Sequence, residues 1–108
     1  MSAYLIAFVE VHDEARYGAE YVPAMNACLA PFCGRYRALR AQMHPREGAF
    51  PDGKVVLIEF PSMAQAERWY ASEAYEPLLE VRREIATTTL GFFSAGPGTQ
   101  QQSKQGGL

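Results

Sequence analysis

Lysine is scarce in this chain: of ten basic residues only Lys54 and Lys104 are lysines, and the other eight are arginines spread along the sequence. There is no basic excess either, since the net charge is −2 and the pI about 5.6. That balance argues against nucleic-acid and membrane-surface roles, which call for a basic patch. Cysteine is limited to Cys28 and Cys33, with no Cys-x-x-Cys and no Cys/His spacing suited to a metal. The two are expected to be small, reduced, buried thiols pointing to different faces of a helical segment, and no metal is expected. The longest apolar run falls far short of the ~20 residues that span a bilayer. The first residues open directly into a strand pattern, without a basic region and cleavable apolar core, so a cytoplasmic protein without a signal peptide is expected. Phosphate-loop, Gly-x-Gly-x-x-Gly, Gly-x-Ser-x-Gly and His-Glu-x-x-His patterns are all missing. Nucleotide, serine-hydrolase and zinc-protease readings are therefore set aside, and no cofactor is expected.

What is present is an ordinary globular composition, 48% apolar and 20% charged over 108 residues, enough for one domain with one core. The most telling segment is Lys54-Val55-Val56-Leu57-Ile58-Glu59-Phe60-Pro61-Ser62, followed by a helical pattern that carries Trp69-Tyr70. A strand apolar at both alternating positions is buried on both sides. Residues 3–11 read as a first strand of the same kind, and Asp13 as the N-cap of the first helical segment. A helical stripe then runs through Tyr17, Tyr21, Met25, Cys28, Leu29 and Phe32. A kink or break is expected near Val22-Pro23, because interior proline removes a backbone bond. Gly34 stops this segment. Residues 35–44 read as a second, more polar strand, 45–53 as a loop ending in Pro51-Asp52-Gly53, and 54–60 as the third strand. Ser62 to Gln65 fits a capping box. A further helix is expected over 75–86 and a Thr/Phe-rich strand over 87–95. Residues 1–96 form the domain on this reading, and 97–108, rich in Gly, Gln and Ser, a disordered tail.

The order β-α-β-β-α-β, with its second helix split, predicts an α+β ferredoxin-like plait: a four-stranded antiparallel sheet with helices on one face. The strands nevertheless lack a polar face. Something must cover the side without helices, and a second copy of the chain, packed sheet to sheet about a two-fold axis, is the simplest cover. A homodimer is expected.

With these segments placed, the chain resembles a bacterial family classed only as a domain of unknown function, within the dimeric α/β-barrel superfamily. The matching residues are Tyr17, Tyr21, Gly34-Arg35-Tyr36, Glu47-Gly48, Val55 to Ser62, Trp69-Tyr70, Ser72, Tyr75 and Arg82, over about residues 3–96. The resemblance implies sheets facing each other in a dimer and a cleft between sheet and helices in each subunit. Wider relatives include cofactor-independent monooxygenases, polyketide cyclases, lactone isomerases and haem-handling proteins, so fold alone does not assign an activity. The family tends to carry Arg-Gly-Gly in the second strand where this chain has Leu39-Arg40-Ala41, a one-residue displacement of the arginine that would turn it to the opposite face.

Glu59 interrupts a buried strand and Arg82 an apolar helical stripe; the expectation is that they meet, or that both face a cleft where a ligand supplies the missing partner. Their structural alternative is an ion pair that fixes helix on sheet. His44, at a strand end, is the other candidate for proton transfer beside Glu59; His12 reads as a capping or surface residue. Arg82, Arg40, Tyr36, Trp69 and Tyr70 are the candidates for substrate binding, drawn from a supply of aromatic rings able to line a pocket or fill a core. Three functions remain open: a cofactor-independent enzyme on a small hydrophobic or carboxylated metabolite, a non-catalytic binding module, and a structural dimer.

Overall fold

The computed structural model describes residues 1–95; the tail expected over 97–108 lies outside the described residues. Strand β1 (Ala3–Val11) occupies the middle of the sheet because it is apolar at every position from Ala3 to Val9. It pairs antiparallel with β3 (Lys54–Phe60) on one side and β4 (Ala86–Ser94) on the other, and β2 (Arg35–Ala41) adds to the far side of β3. The order β2-β3-β1-β4 is that of the α+β ferredoxin-like plait.

Alternation divides the residues between two faces. Leu5, Ala7 and Val9 of β1, with Val56, Ile58 and Phe60 of β3, are buried beneath the helices. Tyr4, Ile6 and Phe8 point the other way, in register with Glu59, Leu57 and Val55. This second face carries no helix. Tyr4 stacks on Phe93 at 5.3 Å between ring centroids, and Phe8 tilts against Phe50 at 6.3 Å. Phe93, Phe50 and Leu39 are each more than 40% exposed.

The first helical segment is compound. Asp13 accepts the Arg16 backbone N–H at 3.1 Å and caps α1 (Glu14–Arg16). A π-turn comes next over Tyr17–Tyr21, closed by the Val22 N–H on the Tyr17 carbonyl, before α2 (Val22–Leu29) and a 3-10 turn (Ala30–Phe32). The break therefore falls just before Pro23, as a widened turn. Tyr17, Tyr21 and Met25 are spaced by four, and in a regular α-helix such a row drifts by about 40° per step. The wider π-turn slows that drift and keeps all three buried against the sheet. Cys33 ends the segment in the left-handed region at φ 59° and is exposed, whereas Cys28 is buried. The expectation of two buried thiols thus holds only for Cys28, because the terminating residue is Cys33 and not Gly34.

Ser62 caps α3 (Met63–Tyr70) by accepting from the Gln65 N–H at 3.2 Å. Between α3 and α4 (Glu76–Ile85), Ser72 donates to the Trp69 carbonyl at 2.7 Å and accepts from the Tyr75 N–H at 3.3 Å. One hydroxyl thereby fixes two aromatic residues whose rings sit 4.2 Å apart, centroid to centroid. Strand β2 ends at Ala41, three residues before the expected His44, and its pairing with β3 shifts register twice, between Tyr36 and Ala38 and between Ala38 and Ala41. Arg40 sits in the second irregularity with φ 55°, a region costly for any residue with a Cβ. Gly53, at φ 105°, lets the loop enter β3 with its Cα pressed on β1: a Cβ there would lie 2.5 Å from the Val9 carbonyl carbon.

Candidate functional site

Between the sheet and the helices lies a small cavity of about 20 Å³, room for roughly one water. The π-turn and α2 supply Tyr17, Tyr21 and Met25; α3 supplies Trp69; Tyr75 and Arg82 come from the α4 side. Tyr36, Thr88 and Leu90 project from the sheet. A groove of about 280 Å³ adjoins it, bounded by Tyr70, Leu79, Arg83 and Ala86. Arg82, Thr88 and Leu90 line both spaces, so they form the partition between the interior and the open groove.

The polar chemistry of the cavity is unbalanced. Arg82 is 6% exposed, and among the described residues no carboxylate lies within ion-pair distance of it. Its Nε, the Trp69 Nε1 and the Thr88 Oγ1 are buried without a hydrogen-bond partner. Orphaned buried polar groups are uncommon and costly. The phenols around them stay protonated: burial raises the pKa of Tyr17, Tyr21, Tyr36 and Tyr75, with the Arg82 charge partly offsetting it at Tyr17, Tyr21 and Tyr75. These hydroxyls are neutral hydrogen-bonding groups at any ordinary pH.

Not all the expected site residues gather here. Tyr36, Trp69 and Arg82 line the cavity, and Tyr70, 38% exposed, lines the groove. Arg40 approaches from the other end: its two terminal nitrogens donate to the Glu14 carboxylate at 2.8 and 2.9 Å, and its guanidinium lies 5.1 Å from the centroid of the Tyr17 ring. Glu59 does not meet Arg82. Ile58 and Phe60 point to the core, so Glu59 between them points to the helix-free face, where it accepts from the Ser2 hydroxyl and the Arg37 Nε, both at 2.6 Å. The Ser2 hydroxyl first, and then Arg37, hold its carboxyl below the usual range. Because the Arg37–Glu59 pair is largely solvated, Arg37→Ala is expected to leave the thermal midpoint within about 2 °C of the parent, measured by circular dichroism. His44 is exposed in the loop between β2 and β3 and lines neither cavity nor groove. His12 bonds Thr87 at 2.7 Å on the surface.

Thr88 was not singled out from the sequence. Its signal was the alternation of β4, which places it inward between Ala86 and Leu90. No group of three or more His, Cys, Asp or Glu able to hold a metal occurs among the described residues, and no helix there is long and apolar enough to cross a membrane.

Residues 2–95, nearly the whole described chain, match the family described as Domain of unknown function (DUF1330). The protein belongs to that family. Among solved structures, the DUF1330 chain is similar to a protein of unknown function from Rhodopseudomonas palustris, RPA0582, with a TM-score of 0.66 at 14% identity over 90% of this chain and 84% of that one. It is also similar to SnoaB, a cofactor-independent oxygenase from Streptomyces nogalater, with a TM-score of 0.55 at 17% identity over 93% and 98% of the two chains. An antibiotic biosynthesis monooxygenase gives 0.50 at 13% identity over 90% and 100%. At these identities the likeness speaks for a shared fold alone, the α+β ferredoxin-like plait, and no curated protein matches this DUF1330 chain.

Proposed function

We propose that this protein acts as a homodimer, paired through its helix-free sheet face, and that the cleft between sheet and helices in each subunit takes a small metabolite, which it transforms without a cofactor. The observation that carries the ligand reading is Arg82, a buried cation with no counter-charge among the described residues. An unpaired buried charge is costly unless something pairs with it, and a bound anion is the partner that remains. The aromatic, water-poor lining supports a small-molecule site, and the exposed Phe93 and Phe50, packed on Tyr4 and Phe8 of the open face, support pairing of two sheets. The enzymatic part rests on the shared fold with a cofactor-independent oxygenase, an argument by analogy.

With Glu59 on the far face and His44 in a loop, the proton-carrying groups at the cavity are the phenols, Tyr21 and Tyr75 foremost. That no carboxylate or imidazole among the described residues lines cavity or groove favours a second reading, a non-catalytic binding module. Native mass spectrometry of the purified protein, before and after incubation with a metabolite extract, tests the proposal. A dimer carrying a discrete small adduct is expected, and a monomer overturns the assembly. Tyr21→Phe then separates the two readings: an enzyme loses turnover of the recovered ligand while keeping its affinity, and a binding module shows no turnover in either form.

A further inference from the structure

Two atoms at the partition between cavity and groove and one within the cavity lack partners, and their chemistry restricts what is missing. Arg82 Nε and Trp69 Nε1 are obligate donors, and Thr88 Oγ1 can donate. The absent group must therefore be an acceptor. A single water would fit the space of about 20 Å³ and satisfy some of these donors, but it leaves the Arg82 charge uncompensated. We propose that the site takes a singly charged carboxylate, its carboxylate seated on Arg82 and Thr88 at the partition, with the Trp69 Nε1 donor on the cavity side, and its body lying in the groove beside Tyr70 and Leu79. This rests on the reading of the cleft as a ligand site.

Charge count selects a carboxylate over a phosphate ester. The buried part of the site offers one guanidinium and two neutral donors, so a monoanion leaves it neutral, while a dianion leaves one negative charge without a partner. Arg83 also borders the groove but is exposed, so its charge is already solvated and contributes little. The flat fork of a guanidinium matches the two oxygens of a carboxylate. Size sets the other bound. The interior, with room for roughly one water, cannot hold a ring, and the groove of about 280 Å³ is limited in extent, so the ligand is a small acid and not a long-chain one.

The probes are benzoate, its neutral counterpart benzamide, and the dianion phenylphosphonate, each titrated into the full-length protein by calorimetry and by intrinsic fluorescence. Trp69 is the chain's one tryptophan and lines the cavity with Arg82 and Thr88, so its emission reports on that side of the partition. Benzoate is expected to saturate with a Kd on the order of 0.1–1 mM, with benzamide and phenylphosphonate at least about tenfold weaker. Arg82→Met should abolish the benzoate response, Arg82→Lys should weaken it, and Thr88→Val, which conserves shape, should weaken it severalfold. Benzamide binding as well as benzoate, phenylphosphonate binding more tightly, or a benzoate response unchanged in Arg82→Met each overturns the carboxylate assignment while leaving a ligand cleft in place. If no probe shifts Trp69 emission up to about 10 mM, the carboxylate assignment fails; if the metabolite adduct is missing as well, the cleft reading fails with it.

Discussion

Replacing Trp69 with alanine is expected to destabilise the protein by about 3–5 kcal/mol, the range for removing a large buried aromatic side chain. Trp69 is fully buried, and its ring meets Tyr75 at 4.2 Å, Phe60 at 5.6 Å and Tyr70 at 6.1 Å. It thus joins α3 to the core end of β3 and, through Tyr75, to the start of α4. The neighbours that would have to close the void are themselves held: Phe60 by the sheet ladder, Tyr75 by the Ser72 hydroxyl. Poor relaxation keeps the cost high. Domains of this size unfold with about 5–15 kcal/mol in total, so the variant should unfold at much lower urea concentration, read by circular dichroism because the fluorophore is gone. Trp69→Phe keeps most of the contact and should cost markedly less. A loss below about 1 kcal/mol for the alanine variant would contradict the packing described for α3.

Arg82→Met is expected to act in the opposite direction and stabilise the ligand-free protein by about 1–3 kcal/mol. Arg82 is buried at 6% exposure, its Nε has no partner, and no carboxylate is in reach among the described residues. Methionine preserves the apolar stem and fills irregular space, while the desolvation cost of the charge disappears. Thermal unfolding of the two proteins in ligand-free buffer reads the sign directly. A decrease of several kcal/mol, as when a buried pair is broken, would require a counter-charge near Arg82 in the free protein and would remove the main support for an anion site.

That sign separates what was legible in the sequence from what was not. Periodicity located the strands and helices, because residues 3–9 and 54–60 are too apolar to lie anywhere but mid-sheet. The same property concealed which face the helices cover: when both faces are apolar, alternation cannot say whether Glu59 or its neighbours look inward. Ile58 and Phe60 take the core, Glu59 falls on the open side, and the expected pair with Arg82 is not formed. Thr88 was hidden for a related reason, standing between two other threonines with nothing but parity to distinguish it. In β2 neither glycine nor proline marks the two register shifts, so the strand's early end and the left-handed Arg40 had no sequence cue. The aromatic supply was visible; its division into cavity wall, groove and open face depends on the π-turn and on the Ser72 link, both tertiary in origin.

The sheet's two borders differ. On one, β2 is irregular twice over and carries Arg35, Arg37 and Arg40. On the other, β4 runs nine residues without a register break. Bulges and charges make β2 a poor template for a foreign strand, whereas a threonine-rich border with unbroken register can accept one. Among the described residues, strand-to-strand association of two molecules is therefore favoured at β4 against β4, which consumes both receptive borders and leaves the two refractory ones outward. Edge pairing by itself therefore terminates at a pair, without a further receptive border from which to propagate.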